Sequence, residues 1–122
     1  MICRTWHGWT RPEDAGAYER IVLHEVIPGI ERMALPGFRH IDLLRRDAGP
    51  EVEFTTLMWF DDVASVRAFV GEDVTVSHVP AAAREVLSRF DARAVHSTVV
   101  ERRPQPQRGP ALGQGPLASR PS

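Results

Sequence analysis

The sequence predicts a single α+β domain over residues 1–101, an antiparallel sheet built in the order β-α-β-β-α-β, followed by a tail that cannot fold on its own. Three observations predict it. The apolar pattern switches between strand-like alternation and helix-like spacing in that order. The two middle strand-like segments are joined only by Asp47-Ala48-Gly49-Pro50, which makes them an antiparallel hairpin. From Arg102 the chain reads RRPQPQRGPALGQGPLASRPS, which offers almost nothing to bury against the entropy of ordering its backbone.

Ile2 to Trp9 carries β-branched and aromatic residues and reads as the first strand. Thr10 as N-cap, Pro12 in the first turn, and Glu13 and Asp14 at the positive end of the dipole then start a helix. Along it Ala15, Tyr18, Ile21, Val22 and Val26 form one apolar stripe. Pro28-Gly29 interrupts the stripe, so the segment to Met33 is a kinked extension or a separate turn. Phe38 to Arg46 and Glu51 to Phe60 are the hairpin strands. Asp61 or Asp62 caps a helix through Val63, Val66, Phe69 and Val70, a shorter helix covers Ala81 to Phe90, and Ala92 to Val100 is the last strand. This order is that of the ferredoxin-like split βαβ unit.

Leu57-Met58-Trp59-Phe60 places apolar side chains on both faces of the sheet. The helices cover one face. A second copy of the chain is the simplest cover for the other, so the pattern points to a homodimer, although strand ends near helices also look apolar on both sides.

Composition narrows the function classes. Residues 1–101 hold 11 Arg against 16 Asp and Glu, while Arg102, Arg103, Arg108 and Arg120 lie in the tail. An acidic domain argues against nucleic acid as partner, because phosphate binding needs a basic face. One cysteine, Cys3, forms no internal disulfide and no Cys-rich metal site, which fits a reducing cytoplasm. No run approaches the roughly 18 apolar residues of a membrane span, and the N-terminus lacks a signal-peptide core, so neither export nor membrane insertion is expected. Residues 102–122 are expected to be a disordered tail rich in Pro, Gly and Arg.

The opening strand Trp6-His7-Gly8-Trp9-Thr10, the Pro36-Gly37-Phe38 lead into the second strand, Leu43-Leu44-Arg45-Arg46, and Trp59-Phe60-Asp61-Asp62-Val63-Ala64-Ser65-Val66-Arg67-Ala68-Phe69 together resemble the antibiotic biosynthesis monooxygenase family of the dimeric α+β-barrel superfamily. The resemblance covers residues 1 to about 101 and contains no catalytic signature. It implies a dimeric α+β barrel with a ligand pocket between sheet and helices. It also implies a cofactor-independent monooxygenase or oxidase acting on an aromatic, quinol or polyketide-like small molecule with molecular oxygen. Haem binding and degradation, polyketide cyclisation, or binding without catalysis are the alternatives on the same fold. The haem-degrading members match poorly. Thr5 stands where they have an asparagine, Phe69 where they have the catalytic tryptophan, and Val79 where they have the haem-ligating histidine, with His78 one residue away. Haem is therefore disfavoured and no cofactor is expected.

Oxygenation without a cofactor needs an apolar cavity, a base or hydrogen-bond partner, and orientation of a substrate that, once deprotonated, itself passes an electron to oxygen. Histidine is the natural base near neutral pH, and His7, His24, His40, His78 and His96 show no helical metal-site spacing. His7 and His78 are the catalytic candidates: His7 and His40 sit on strands where alternation can turn them into the pocket, and His78 lies in a loop over its mouth. Surface or structural roles compete for each. Trp6 and Trp9 fall on opposite faces of one strand, so only one lines the pocket. Trp59 and Phe69 are aromatic walls or core. Tyr18 is on the buried stripe, and its hydroxyl needs a partner. Glu25 falls beside Tyr18 and Val22 on an ideal helix, where burial makes a carboxylate a base, unless Pro28 turns it to solvent. Arg4 and Arg67 either orient an anionic ligand or form salt bridges. No metal site is expected.

Overall fold

A computed structural model of the chain describes residues 1–108. Five strands form one antiparallel sheet: β1 (Ile2–Thr10), β2 (Phe38–Ala48), β3 (Glu51–Phe60), β4 (Arg89–Phe90) and β5 (Val95–Thr98). The spatial order is β2-β3-β1-β4, with β5 also on β1. The expected β-α-β-β-α-β arrangement is therefore present. The sheet of the single chain stays open. Residues 102–108 are exposed and carry neither helix nor strand, and the remainder of the tail expected to be disordered lies outside the described residues.

Alternation along β1 buries Arg4, Trp6, Gly8 and Thr10 and turns Thr5, His7 and Trp9 the other way. Register fixes the same phase on β3, where Val52, Phe54, Met58 and Phe60 are buried. Against this inner face pack the helices: α1 (Ala15–Ile21), a π-helical turn Val22–Val26, α2 (Ile27–Arg32), α3 (Val63–Val70) and α4 (Ala81–Val86). Tyr18, Val22 and Ala83 meet Val52 and Phe54, while Ile30, Val66 and Phe69 meet Met58 and Phe60.

The first helix departs from expectation at its start, and at its end it takes the extension rather than the separate turn of the two readings left open. Thr10 is no N-cap. It belongs to β1, is fully buried, and its hydroxyl has no partner among the described residues. The turn into α1 is instead a short 3-10 segment, Pro12–Asp14. Pro28 does not end the helix, because Ile27 N–H reaches back to Val22 O and the chain passes through one π turn before resuming as α-helix. A π turn inserts one extra residue and rotates the helix beyond it about its axis. The apolar stripe therefore runs Tyr18, Val22, Ile30, and Glu25 is exposed to solvent rather than set on the apolar face.

The second half of the chain is also cut differently. The helix expected to run to Phe90 stops at Val86, and the last strand comes in two pieces. Asp91 lies at the break between the two pieces. Its carbonyl accepts from Trp6 Nε1 at 2.9 Å and Ser77 Oγ at 2.7 Å, and its carboxylate accepts from His7 N at 3.0 Å. Asp91 N still donates to His7 O at 2.9 Å, and the chain leaves the ladder beyond it, where Arg93 bridges to Val76 and Ala94 N donates to Thr75 O at 2.9 Å before β5 resumes. Asp62 caps α3 through Ser65 N at 3.0 Å, as its sequence predicts. Just before β2, Gly37 has φ of +79°, and a Cβ there would lie 2.1 Å from Ser65 Oγ, so only glycine fits.

Candidate functional site

A cavity opens between the inner face of the sheet and the helices. The space within it and in the solvent at its open mouth together is about 520 Å³. The sheet supplies Trp6, Thr56 and Met58 to its lining, the helices Tyr18, Ile30 and Phe69, and the segment before α4 His78 and Pro80. Apolar side chains dominate this surface, and four groups break it: Arg4, Tyr18, Thr56 and His78.

Arg4 is 3% exposed although it is charged. Its Nη1 donates to Val74 O at 2.6 Å and its Nη2 to Val76 O at 2.5 Å, pinning the loop between α3 and α4. Nη1 also lies 3.1 Å from His96 Nε2. A guanidinium only donates, so His96 Nε2 is the unprotonated nitrogen of a neutral ring. The Arg4 guanidinium lies 5.4 Å from the centre of the Phe69 ring. Burial pushes Arg4 down to about 10, so it remains charged at neutral pH. No carboxylate pairs with it among the described residues.

His78 is exposed at the mouth, its ring centre 4.8 Å from that of Phe69. Burial of one side of the ring, then the charge of Arg4, hold it below its ordinary value, and His96 is lowered by the same two causes. His78 is thus a neutral base at neutral pH. The Tyr18 ring packs 4.7 Å from Phe54, and its hydroxyl bonds to no protein group among the described residues, which leaves it available to a ligand. Burial raises that phenol to about 12, so it is a donor rather than a phenolate.

The cavity brings together Trp6, Tyr18, Phe69 and His78 of the residues singled out from sequence. It does not bring in the others. His7 is on the opposite face of β1, where its Nδ1 lies 2.7 Å from Asp91 Oδ2 and its ring stacks 5.9 Å from Trp9. His40 is exposed on that same open face, with its ring edge 4.8 Å from Trp59. Alternation counted from Phe38 sends His40 inward, but a β-bulge between Phe38 and His40 adds one residue and reverses the phase. Trp59 pairs with Cys3 on the outer phase of β3, so it is neither pocket wall nor inner core. Glu25, exposed by the π turn, is away from the lining. Sequence reading passed over Thr56, Met58 and Ile41, which line the cavity because their strands share the phase of Trp6. It left Arg4 between orienting an anionic ligand and forming a salt bridge, and the two-residue step from Arg4 to Trp6 puts both on one face. Among the described residues no three His, Cys, Asp or Glu side chains gather as a metal site, and no helix is long and apolar enough to cross a membrane.

No family model matches the chain, and no curated protein does. Solved structures do. SnoaB, a cofactor-independent oxygenase from Streptomyces nogalater, is 20% identical, with 87% of this chain and 98% of that one covered and a TM-score of 0.48. A Bacillus cereus protein provisionally named an antibiotic biosynthesis monooxygenase is 12% identical, with 88% of this chain and 98% of that one covered and a TM-score of 0.63. The fold of this chain is therefore the α+β fold of that Bacillus cereus protein, the fold that the resemblance in residues 1 to about 101 led us to expect.

Proposed function

We propose that the protein is a cofactor-independent monooxygenase or oxidase that takes an aromatic, quinol or polyketide-like small molecule into the cavity between sheet and helices. The observation that carries the reading is the presence of a neutral imidazole, His78, and a buried cation, Arg4, in one aromatic-lined cavity. His78 takes a proton from the substrate. The electron-rich anion then passes an electron to molecular oxygen, and the two recombine. For an anthrone the balance is one CH₂ and one O₂ giving one carbonyl and one water, so no external reductant is needed. The protein supplies the base, the apolar surroundings and the orientation. Of the groups haem would require, only His78 is at the cavity mouth, and the resemblance to haem-degrading members rests on that one residue.

The chain works as a homodimer in this reading. The outer face of the sheet exposes Leu44 (48%) and Val95 (63%) beside Leu57 and Trp59, an apolar surface suited to the same face of a second copy. Light scattering that finds a monomer at micromolar concentration would overturn this part. The catalytic part is tested by oxygen uptake of metal- and flavin-free protein with an anthrone and a dihydroquinone. Uptake well above the uncatalysed rate is expected. Uptake at the uncatalysed rate, or a Soret shift on adding haemin, moves the function to binding or to haem.

A further inference from the structure

Arg4 spends its donors unevenly. Of five N–H groups, one on Nη1 goes to Val74 O, one on Nη2 to Val76 O, and the second on Nη1 to His96 Nε2. The Nε hydrogen and one on Nη2 bond to no protein group among the described residues, and Arg4 lines the cavity. A guanidinium buried to 3% exposure without a carboxylate is costly, because two carbonyls and an aromatic face compensate only part of the lost hydration. The other ionisable groups at the cavity do not supply the missing charge. His78 is a neutral base and Tyr18 a neutral phenol at physiological pH, and His96, which meets Arg4 without lining the cavity, is neutral as well.

We infer that the cavity selects ligands carrying an oxyanion, a carboxylate or an ionised phenol on an apolar ring system, and that Arg4 is the group that binds it through its two remaining donors. The inference rests on the reading of this cavity as the ligand site and adds the charge of the ligand. A paired fork of N–H donors matches two lone pairs of one carboxylate, or one phenolate oxygen, and in a desolvated site it discriminates strongly against a neutral ring of the same shape. Among the described residues that line the cavity, Arg4 is the only charged group.

The experiment uses the full chain and quenching of tryptophan fluorescence, since Trp6 lines the cavity. Two anionic probes, 2-naphthoate and 4-nitrophenolate, are compared with neutral partners of similar shape, 2-naphthylmethanol and 4-nitroanisole. At least about tenfold tighter binding of one anionic probe than of its neutral partner is expected, and the probe that shows it tells carboxylate from phenolate. Arg4→Gln should abolish that preference, lowering affinity for the anion at least about tenfold more than for its neutral partner, and Arg4→Lys should keep part of it. A merely structural Arg4, holding the loop through Val74 and Val76, would lower both affinities together. Equal binding of anionic and neutral probes by the unaltered protein, or no binding of either anion, overturns the inference even if Arg4→Gln fails to fold. Oxygen uptake is read separately. Anion preference without anthrone oxidation removes the oxygenase and keeps the anion site, whereas anthrone oxidation without anion preference does the reverse.

Discussion

The rings of His78 and Phe69 lie with their centres 4.8 Å apart, tilted by 49°, so the loop imidazole is fixed against an aromatic side chain of α3 at the rim of the cavity. A base held in this way has a defined position and a lowered proton affinity, and both matter for what it does.

His78→Gln should lower oxygen uptake with an anthrone by about 10²-fold or more while the far-UV spectrum and melting temperature stay unchanged. The acid limb of the pH profile should fall below pH 6.5, because burial and Arg4 depress His78 and its neutral form persists to lower pH. An acid limb above pH 6.5, or wild-type turnover in the variant, would exclude His78 as the base.

His7 should behave differently. It is bonded to Asp91 on the outer face, so His7→Ala should cost about 1 kcal/mol in urea unfolding and leave turnover per folded protein within about twofold. A loss as large as that of His78→Gln would mean that the outer face takes part in the chemistry.

Tyr18 gives a test at high pH. Its phenol is raised from 10.0 to about 12, so the folded state holds its proton where the unfolded state has released it. The resulting stability is fully present below pH 10 and is lost as pH rises through about 12, an effect of about 2–3 kcal/mol. The wild type should lose stability relative to Tyr18→Phe over that window, as measured by urea midpoints. Parallel pH curves for the two proteins would show that the phenol titrates normally.

Gly37→Ala should destabilise the domain by about 2 kcal/mol or more. It forces a side chain into φ of +79° and against Ser65 Oγ at the start of α3. Gly49→Ala makes a useful comparison, since its φ is +72° but no atom lies within 4 Å of an added Cβ. Equal urea midpoints for the two variants would show that the contact with Ser65 contributes nothing.

Deleting residues 104–122 should leave the melting temperature within about 2 °C, because residues 102–108 pair with no strand. A larger loss would place the domain boundary later than Glu101. Arg102, whose guanidinium lies 6.0 Å from the centre of the Trp59 ring, remains in that truncation.

Local chemistry made some features legible from the residues alone. Asp61 or Asp62 reads as the cap of α3, Asp47 to Pro50 as a tight hairpin turn, and Tyr18 and Val22 as one buried stripe, because each depends on neighbours within a few positions of the chain. The lining of the candidate site was legible only in part. Trp6, Tyr18, Phe69 and His78 were named, but so were His7, His40, Trp59 and Glu25, which face elsewhere.

The order of the elements, the antiparallel hairpin and the chemical kinds of side chain available to a site are all written in the chain itself. The phase of each element is set only when the elements pack. One residue added at the bulge beside His40 and one added in the π turn before Pro28 reverse or rotate the side chains beyond them. The bonds to Asp91 divide the last strand, and burial of Arg4 away from any carboxylate becomes visible only when residues far apart in the chain are brought together. These are non-local balances of packing and hydrogen bonding, and a periodic pattern read along one dimension does not contain them.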